Sequence, residues 1–196
     1  RFLLLFTTEI LTNSWIPPSS PLSRHRTLRS QEKKNQSEEE QWIASSIAKT
    51  MPPAAQLGID VECYNVSDDG SLSLSMPLEG NTNVHGSAFA GSLYSVSALC
   101  AWYTLVCHLR RNRLDHEYTV VIKSAEIHYK RPVVAPRIIT RCVLPETEIC
   151  EAFLNELERA GKATLPICGT ILPDEEGMKS SAVYTAVMCA FNCRED

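Results

Sequence analysis

The sequence contains no Cys-x-x-Cys pair, no Gly-x-Ser-x-Gly elbow, no Walker loop and no dinucleotide fingerprint. The enzyme classes that those motifs announce therefore have no support here. His25, His108 and His116 are scattered through the chain and make no ligand pattern, so no metal is expected. An excess of positive charge is missing too. The formal net charge is -4, which leaves no strong basic field to hold nucleic acid or an anionic membrane surface, and neither is expected as a partner.

What is present is an ordinary globular composition. Hydrophobic residues make up 44% of 196 residues, enough for one domain with a sizeable core. Eight cysteines sit mostly inside apolar runs. Buried free thiols in a reducing compartment fit that placement better than disulfides, and point to an intracellular, cytoplasmic protein. The chain starts at Arg1, which reads as a fragment, a processed form or a translated upstream region. Phe2 to Phe6 resemble part of a signal h-region, but this short run has a single charge before it and is not read as a signal peptide. The sequons at Asn35 and Asn65 are tripeptides common by chance.

Residues Asn13 to Glu40 combine Pro, Ser and mixed charge with few large apolar residues, a composition that buries too little surface to offset its ordering entropy. The expected organisation is a non-domain segment over 1–40 and a folded domain over 41–196. A short helix is expected from Glu39 to Thr50, with Trp42, Ile43, Ile47 and Ala48 at helical spacing and Pro52-Pro53 as its stop. Two strands follow, Ile59–Val66 and Ser71–Leu78, joined at Asp68-Asp69-Gly70; in the second, Leu72, Leu74 and Met76 share a face. Tyr118–Tyr129, Arg137–Leu144, Ala163–Leu172 and Ala182–Asn192 read as further strands, the last two joined at Asp174-Glu175-Glu176-Gly177. Thr147–Ala160 reads as a surface helix with an Ile149, Phe153, Leu157, Ala160 stripe, Thr147 as N-cap and Gly161 as C-cap.

Gly86 to Cys107 is the most informative stretch, because it carries no charge at all. Apolar on every side, it is expected to be a helix buried on nearly every side. A membrane span is the rival, since such a length could cross a bilayer. Ser87, Ser92, Ser95, Ser97, Thr104, the two glycines and the amphipathic strands on both sides argue against it. The cations of His108 to Arg113 suit the negative end of the helix dipole. One long apolar helix among antiparallel strands is an α+β layout in which the sheet wraps the helix.

At the join of strand and helix the chain reads Asn81-Thr82-Asn83-Val84-His85-Gly86-Ser87-Ala88-Phe89-Ala90-Gly91-Ser92-Leu93-Tyr94, and the next strand ends Glu126-Ile127-His128-Tyr129-Lys130-Arg131-Pro132. Together these segments resemble the thioesterase domain at the C-terminus of YiiD-type acetyltransferases, a family of the hot-dog superfamily. The resemblance covers roughly Trp42 to Asn192. The bacterial relatives carry an acetyltransferase domain upstream, for which the N-terminal forty residues are too short, so that activity is not carried over.

The resemblance implies a hot-dog fold, a homodimer or higher homo-oligomer, and hydrolysis of acyl-CoA or acyl-carrier-protein thioesters. It implies no cofactor beyond the CoA or phosphopantetheine of the substrate. It places Asn83 and His85 beside the thioester carbonyl, able to orient water or polarise the oxygen, with the helix N-terminus as the oxyanion site. Gly86, Phe89, Gly91 and Ser92 would line the substrate path, and Lys130, Arg131 and Arg137 would meet nucleotide phosphates. Many relatives in the superfamily carry an Asp or Glu in the first turns of the buried helix; Ser87 to Cys107 has none. The nearest carboxylate on a matching element is Glu126, the expected third catalytic residue. That missing acid also motivates an alternative, a non-catalytic acyl-CoA-binding module. The bland roles stay open: His85 as a cap, Asn81 and Asn83 as turn residues, Ser92 as helix packing, Tyr94 as core, Glu126 as a solvated strand residue, His128 as structural.

Overall fold

A computed structural model describes residues 38–65, 70–172 and 179–192. The expected linker up to residue 37, most of the Asp68-Asp69-Gly70 turn and the Asp174–Gly177 turn lie outside them. Residues 38–50 form a helix, α1. It buries Ile43 and Ile47, while Ala48 is exposed rather than part of the apolar face. Glu39 and Glu40 belong to the fold: Glu39 pairs with Arg110 at 3.1 Å, and Glu40 accepts the Tyr64 backbone N–H at 2.9 Å. Arg110 also lies over the Trp42 ring, 4.0 Å from its centroid. Pro52-Pro53 end α1 and then open a one-turn helix, α2 (Pro52–Gln56), because proline's fixed φ suits a first helical turn.

Six strands follow: β1 (Asp60–Asn65), β2 (Ser71–Pro77), β3 (Tyr118–Tyr129), β4 (Arg137–Val143), β5 (Lys162–Ile171) and β6 (Ala182–Asn192). They pair antiparallel in the order β1-β2-β4-β5-β6-β3, so β1 and β3 are the two edges. Between β2 and β3 runs α3 (Ala90–Arg111), which packs against β2, β3, β4, β5 and β6. A sheet curled round one long helix is the expected α+β architecture. Leu72, Leu74 and Met76 point together into the core, each no more than 1% exposed. On the other face of β2, Ser71 and Ser75 are also buried, because Arg141 and Arg137 lie over them and donate to their hydroxyls.

Two expectations about α3 need correction. First, α3 begins at Ala90, not Gly86, and runs on to Arg111. Second, it is not covered all round. Val96, Ser97, Cys100, Ala101, Leu105 and Cys107 are sealed in, but Ala90, Gly91, Tyr94, Ser95, Ala98, Leu99 and Trp102 form a stripe left partly or fully open. Tyr94, expected in the core, is 38% exposed and rests edge-on against Tyr184. By length and composition α3 is apolar enough to cross a membrane, yet its buried side is the core of the sheet.

The surface helix α4 (Thr147–Ala160) has the expected bounds and ends at Gly161 in the left-handed region, φ 68°. Glu146, not Thr147, holds the N-cap position, and Cys150 replaces Ile149 on the buried face with Phe153 and Leu157. Cys63, Cys100, Cys107, Cys142, Cys150, Cys168 and Cys189 are free thiols. Burial pushes Cys107 far above the ordinary thiol range, and the hydrogen bond with Cys100, followed by burial, does the same to Cys142, so these two are inert packing residues at neutral pH.

His108, in the last turn of α3, is held below its ordinary value of 6.5 by burial and then by the Arg111 cation, and its Nε2 is buried without a partner. As pH falls, the unfolded chain takes up this proton before the folded one. Stability should therefore drop as pH falls below about 6.5 and level off only beneath the folded-state value. Urea unfolding of the wild type and His108→Gln between pH 7.5 and 5 checks this: the variant should lose part of the slope, and identical slopes would contradict it.

Candidate active site at the start of the central helix

The chain between β2 and α3 is a hairpin held by its own asparagines. Asn81 is buried; its Nδ2 donates to the Leu57 and Pro77 carbonyls, each at 2.9 Å, and its backbone carbonyl accepts the Phe89 N–H at 2.7 Å. The Asn81 Oδ1 is buried without a hydrogen-bond partner among the described residues, whereas both ends of the Asn83 side chain are engaged. Its Oδ1 accepts the backbone N–H of His85 at 2.8 Å and of Ser87 at 3.3 Å, while its Nδ2 donates to the Ser87 hydroxyl at 3.0 Å. Two further backbone bonds, Asn83 N–H to Ser87 and Gly86 N–H to Asn83, close the turn. Gly86 sits there at φ 77°, where a side chain would be strained. These bonds throw Val84, 96% exposed, and His85 outward at the tip.

A helix start follows with no side chain to cap it. Phe89 is the N-cap residue, makes no capping bond, and the first turn carries no acid. The backbone N–H groups of Ala90, Gly91 and Ser92 lack intrahelical partners by position, and they stand at the positive end of the α3 dipole. Gly91 matters for space: a Cβ there would collide with the Phe89 ring, which folds over it. Tyr129, at the end of β3, donates its hydroxyl to the Ala90 carbonyl at 2.9 Å; burial and then Tyr94 raise its pKa, so it stays a neutral donor. Beside this helix start opens a groove of about 420 Å³ lined by Asn83, Ser87, Ala90, Tyr129, Lys130 and Arg131, among others. Ala88 N–H to Val133 at 2.8 Å, with Lys130 and Arg131 N–H to Ser181, holds its opposite wall.

Of the residues expected at the site, the structure thus brings Asn83, Lys130 and Arg131 onto the groove. Gly86 and His85 stand on the adjoining hairpin, and Phe89, Gly91 and Ser92 in the first turn; Ser92 itself is buried. Glu126 is elsewhere. It pairs across the sheet with the exposed Thr185, whereas its neighbour Ile127 pairs with the buried Tyr184. Glu126 therefore faces away from α3, 3.2 Å from His128 Nε2. Arg137 likewise lies outside the groove, paired with Glu62 at 2.6 Å. Glu126→Gln is expected to change any thioester turnover by no more than about twofold, as for an ordinary surface position; a tenfold loss in a steady-state assay would show that it reaches the chemistry. Sequence reasoning missed Tyr129 and Ser87, and gave Asn81 little weight. The direct signal for Tyr129 was its place immediately before Lys130-Arg131-Pro132. Among the described residues no group of three or more His, Cys, Asp or Glu is placed to hold a metal ion.

An antiparallel six-stranded sheet wrapped around one long helix defines a hot-dog protein, and solved structures share that layout. A putative thioesterase from Shewanella oneidensis superposes with a TM-score of 0.67 at 23% identity, over 79% of this chain and 99% of that one. A protein of unknown function from Chlorobaculum tepidum gives 0.67 at 24%, over 78% and 94%. The E. coli PaaI protein from the phenylacetic acid degradation operon gives 0.52 at 16%, over 80% and 95%. At these identities the likeness shows the fold alone. The family follows from residues 40–187, which match the family described as "Putative thioesterase (yiiD_Cterm)". The chain belongs to that family.

Proposed function

We propose that this chain hydrolyses acyl thioesters carried on CoA or on the phosphopantetheine of an acyl-carrier protein. The observation that carries the reading is the uncapped, acid-free start of α3 opening on a groove with Lys130 and Arg131. A thioester carbonyl at that start would gain the Ala90, Gly91 and Ser92 N–H donors as its oxygen takes up charge, in a geometry already paid for by folding. Water would attack the carbonyl carbon, the tetrahedral oxyanion would collapse, and the thiolate would leave. Asn83 shapes the hairpin that borders the attack, and His85 at its tip is the group that takes the proton of the water. Lys130 and Arg131 suit the phosphates of the carrier.

The assembly proposed is a homodimer through β3. This edge strand has twelve residues, pairs among the described residues only with β6, and exposes Val121 and Ile122, an edge that proteins do not leave open without cost. The free thiols support a reducing, intracellular location.

A second reading, a non-catalytic acyl-binding module, is favoured by the same acid-free first turn, since no carboxylate stands there to activate water. One experiment separates them. Purified chain is offered acetyl- to palmitoyl-CoA and an acyl-carrier-protein thioester, with release of free thiol followed. Turnover that falls in His85→Ala supports the enzyme. Binding without turnover across the whole panel supports the module.

A further inference from the structure

The groove leaves a second cavity unexplained. It is about 470 Å³ in volume and lies between the α1–α2 corner (Met51, Pro53, Leu57), the open stripe of α3 (Ala98, Leu99, Trp102) and Ile122 of β3, at the border of the edge proposed above for the dimer. Its size suits a small-molecule tail. Its walls are apolar, and the polar groups they carry are already used. Thr50 donates to the Ser46 carbonyl at 2.8 Å, Ser95 to the Gly91 carbonyl at 2.9 Å, and Trp102 Nε1 to the Val120 carbonyl at 2.8 Å. A ligand entering here meets, among the described residues, no side-chain donor without a partner. The chemistry that fits is plain hydrocarbon.

Position adds the second argument. Gly91, Ser95, Ala98 and Trp102 share one face of α3, without a charge between them. At about 1.5 Å per residue, Ala98 lies roughly 10 Å and Trp102 roughly 16 Å along the axis from Gly91. The cavity begins at Ser95, one turn beyond Gly91 and the Phe89 ring that folds over it, and runs along that face to Trp102. We infer that the cavity receives the alkyl tail of the acyl group whose carbonyl sits at the first turn of α3, so that the α1–α2 corner sets the acyl length. The head-group part of this statement rests on the thioester reading above; the tail site does not.

The test uses the full chain with two probes. Dansyl-undecanoic acid reports tail binding by its fluorescence, and hydrolysis of butanoyl- and decanoyl-CoA reports length preference. Wild type should bind the probe. Ala98→Phe, which fills the cavity, should weaken binding about tenfold or more and lower turnover of decanoyl-CoA relative to butanoyl-CoA by a similar factor, as expected for lost burial of several methylenes. Ala98→Leu serves as the milder filling if the larger ring prevents folding, and should give a smaller shift of the same sign. The proposal is overturned if wild type does not bind the probe, or if the filled variants bind it equally. It is also overturned if their only change is a weaker dimer by analytical ultracentrifugation, for then a second copy of the chain occupies the cavity. Probe binding that the variants weaken, without hydrolysis of either ester, would keep the tail site and refute the thioesterase reading.

Discussion

Asn83→Ala should lower kcat/KM for thioester hydrolysis by roughly a hundredfold, the cost of losing one well-placed oxyanion donor or its equivalent in positioning. The variant removes no donor to the substrate directly. It removes the acceptor that holds the His85 and Ser87 N–H groups and the donor that holds the Ser87 hydroxyl. Without them the hairpin has only its backbone bonds and the Gly86 turn to keep His85 and Ser87 beside the α3 start. The hairpin tip is exposed, so the stability cost should stay near 1 kcal/mol. Asn83→Asp offers a finer probe, because Oδ1 can still accept both N–H groups while the Nδ2 donor is gone. It should fall between wild type and alanine. Steady-state kinetics beside a thermal melt decide the matter: a kcat/KM within threefold of wild type for alanine would show that the hairpin plays no part in turnover.

Why the sequence revealed so much of the fold and less of the site has a physical reason at each place. β3, β6 and α4 were readable to the residue because their periodicity and end signals are local: a polar turn, Pro132, Gly161. The start of α3 was not. Gly86-Ser-Ala-Phe is compatible with helix, but the Asn83 side chain, bonding locally to the backbone at 85 and 87, together with Gly86 at positive φ, diverts the chain into a turn first. The open stripe on α3 was equally hidden, since an apolar residue facing a core and one facing a groove or a second chain are the same letter in the sequence.

Glu126 shows the clearest case. Strand alternation counted from the buried Tyr118 and Val120 would put 122, 124 and 126 on the helix side. A bulge between Ile122 and Ser124 inserts one residue and reverses the parity beyond it. Ala125, Ile127 and Tyr129 turn inward instead, which delivers the Tyr129 hydroxyl to Ala90 and sends Glu126 and His128 outward. One unpaired residue thus selects a tyrosine over a carboxylate for the neighbourhood of the helix start.

Leu105→Ala carries the largest expected cost in stability and should leave the chemistry alone. Leu105 is fully buried in the second half of α3. Truncation removes buried methylenes and leaves a cavity that a helix pinned against five strands cannot close, a loss of about 3 kcal/mol. For a domain of this size the melting temperature should fall by roughly 6–12 °C. Leu105 lies about 20 Å along the helix axis from Gly91, so kcat/KM per folded molecule below the transition should stay near that of wild type. The pair of variants therefore separates the two roles assigned to one helix: the buried body of α3 in the core, and its first turn, held by Asn81 and Asn83, as the proposed site. Differential scanning calorimetry with matched kinetics would contradict this division if Leu105→Ala lost activity at a temperature where it is still folded.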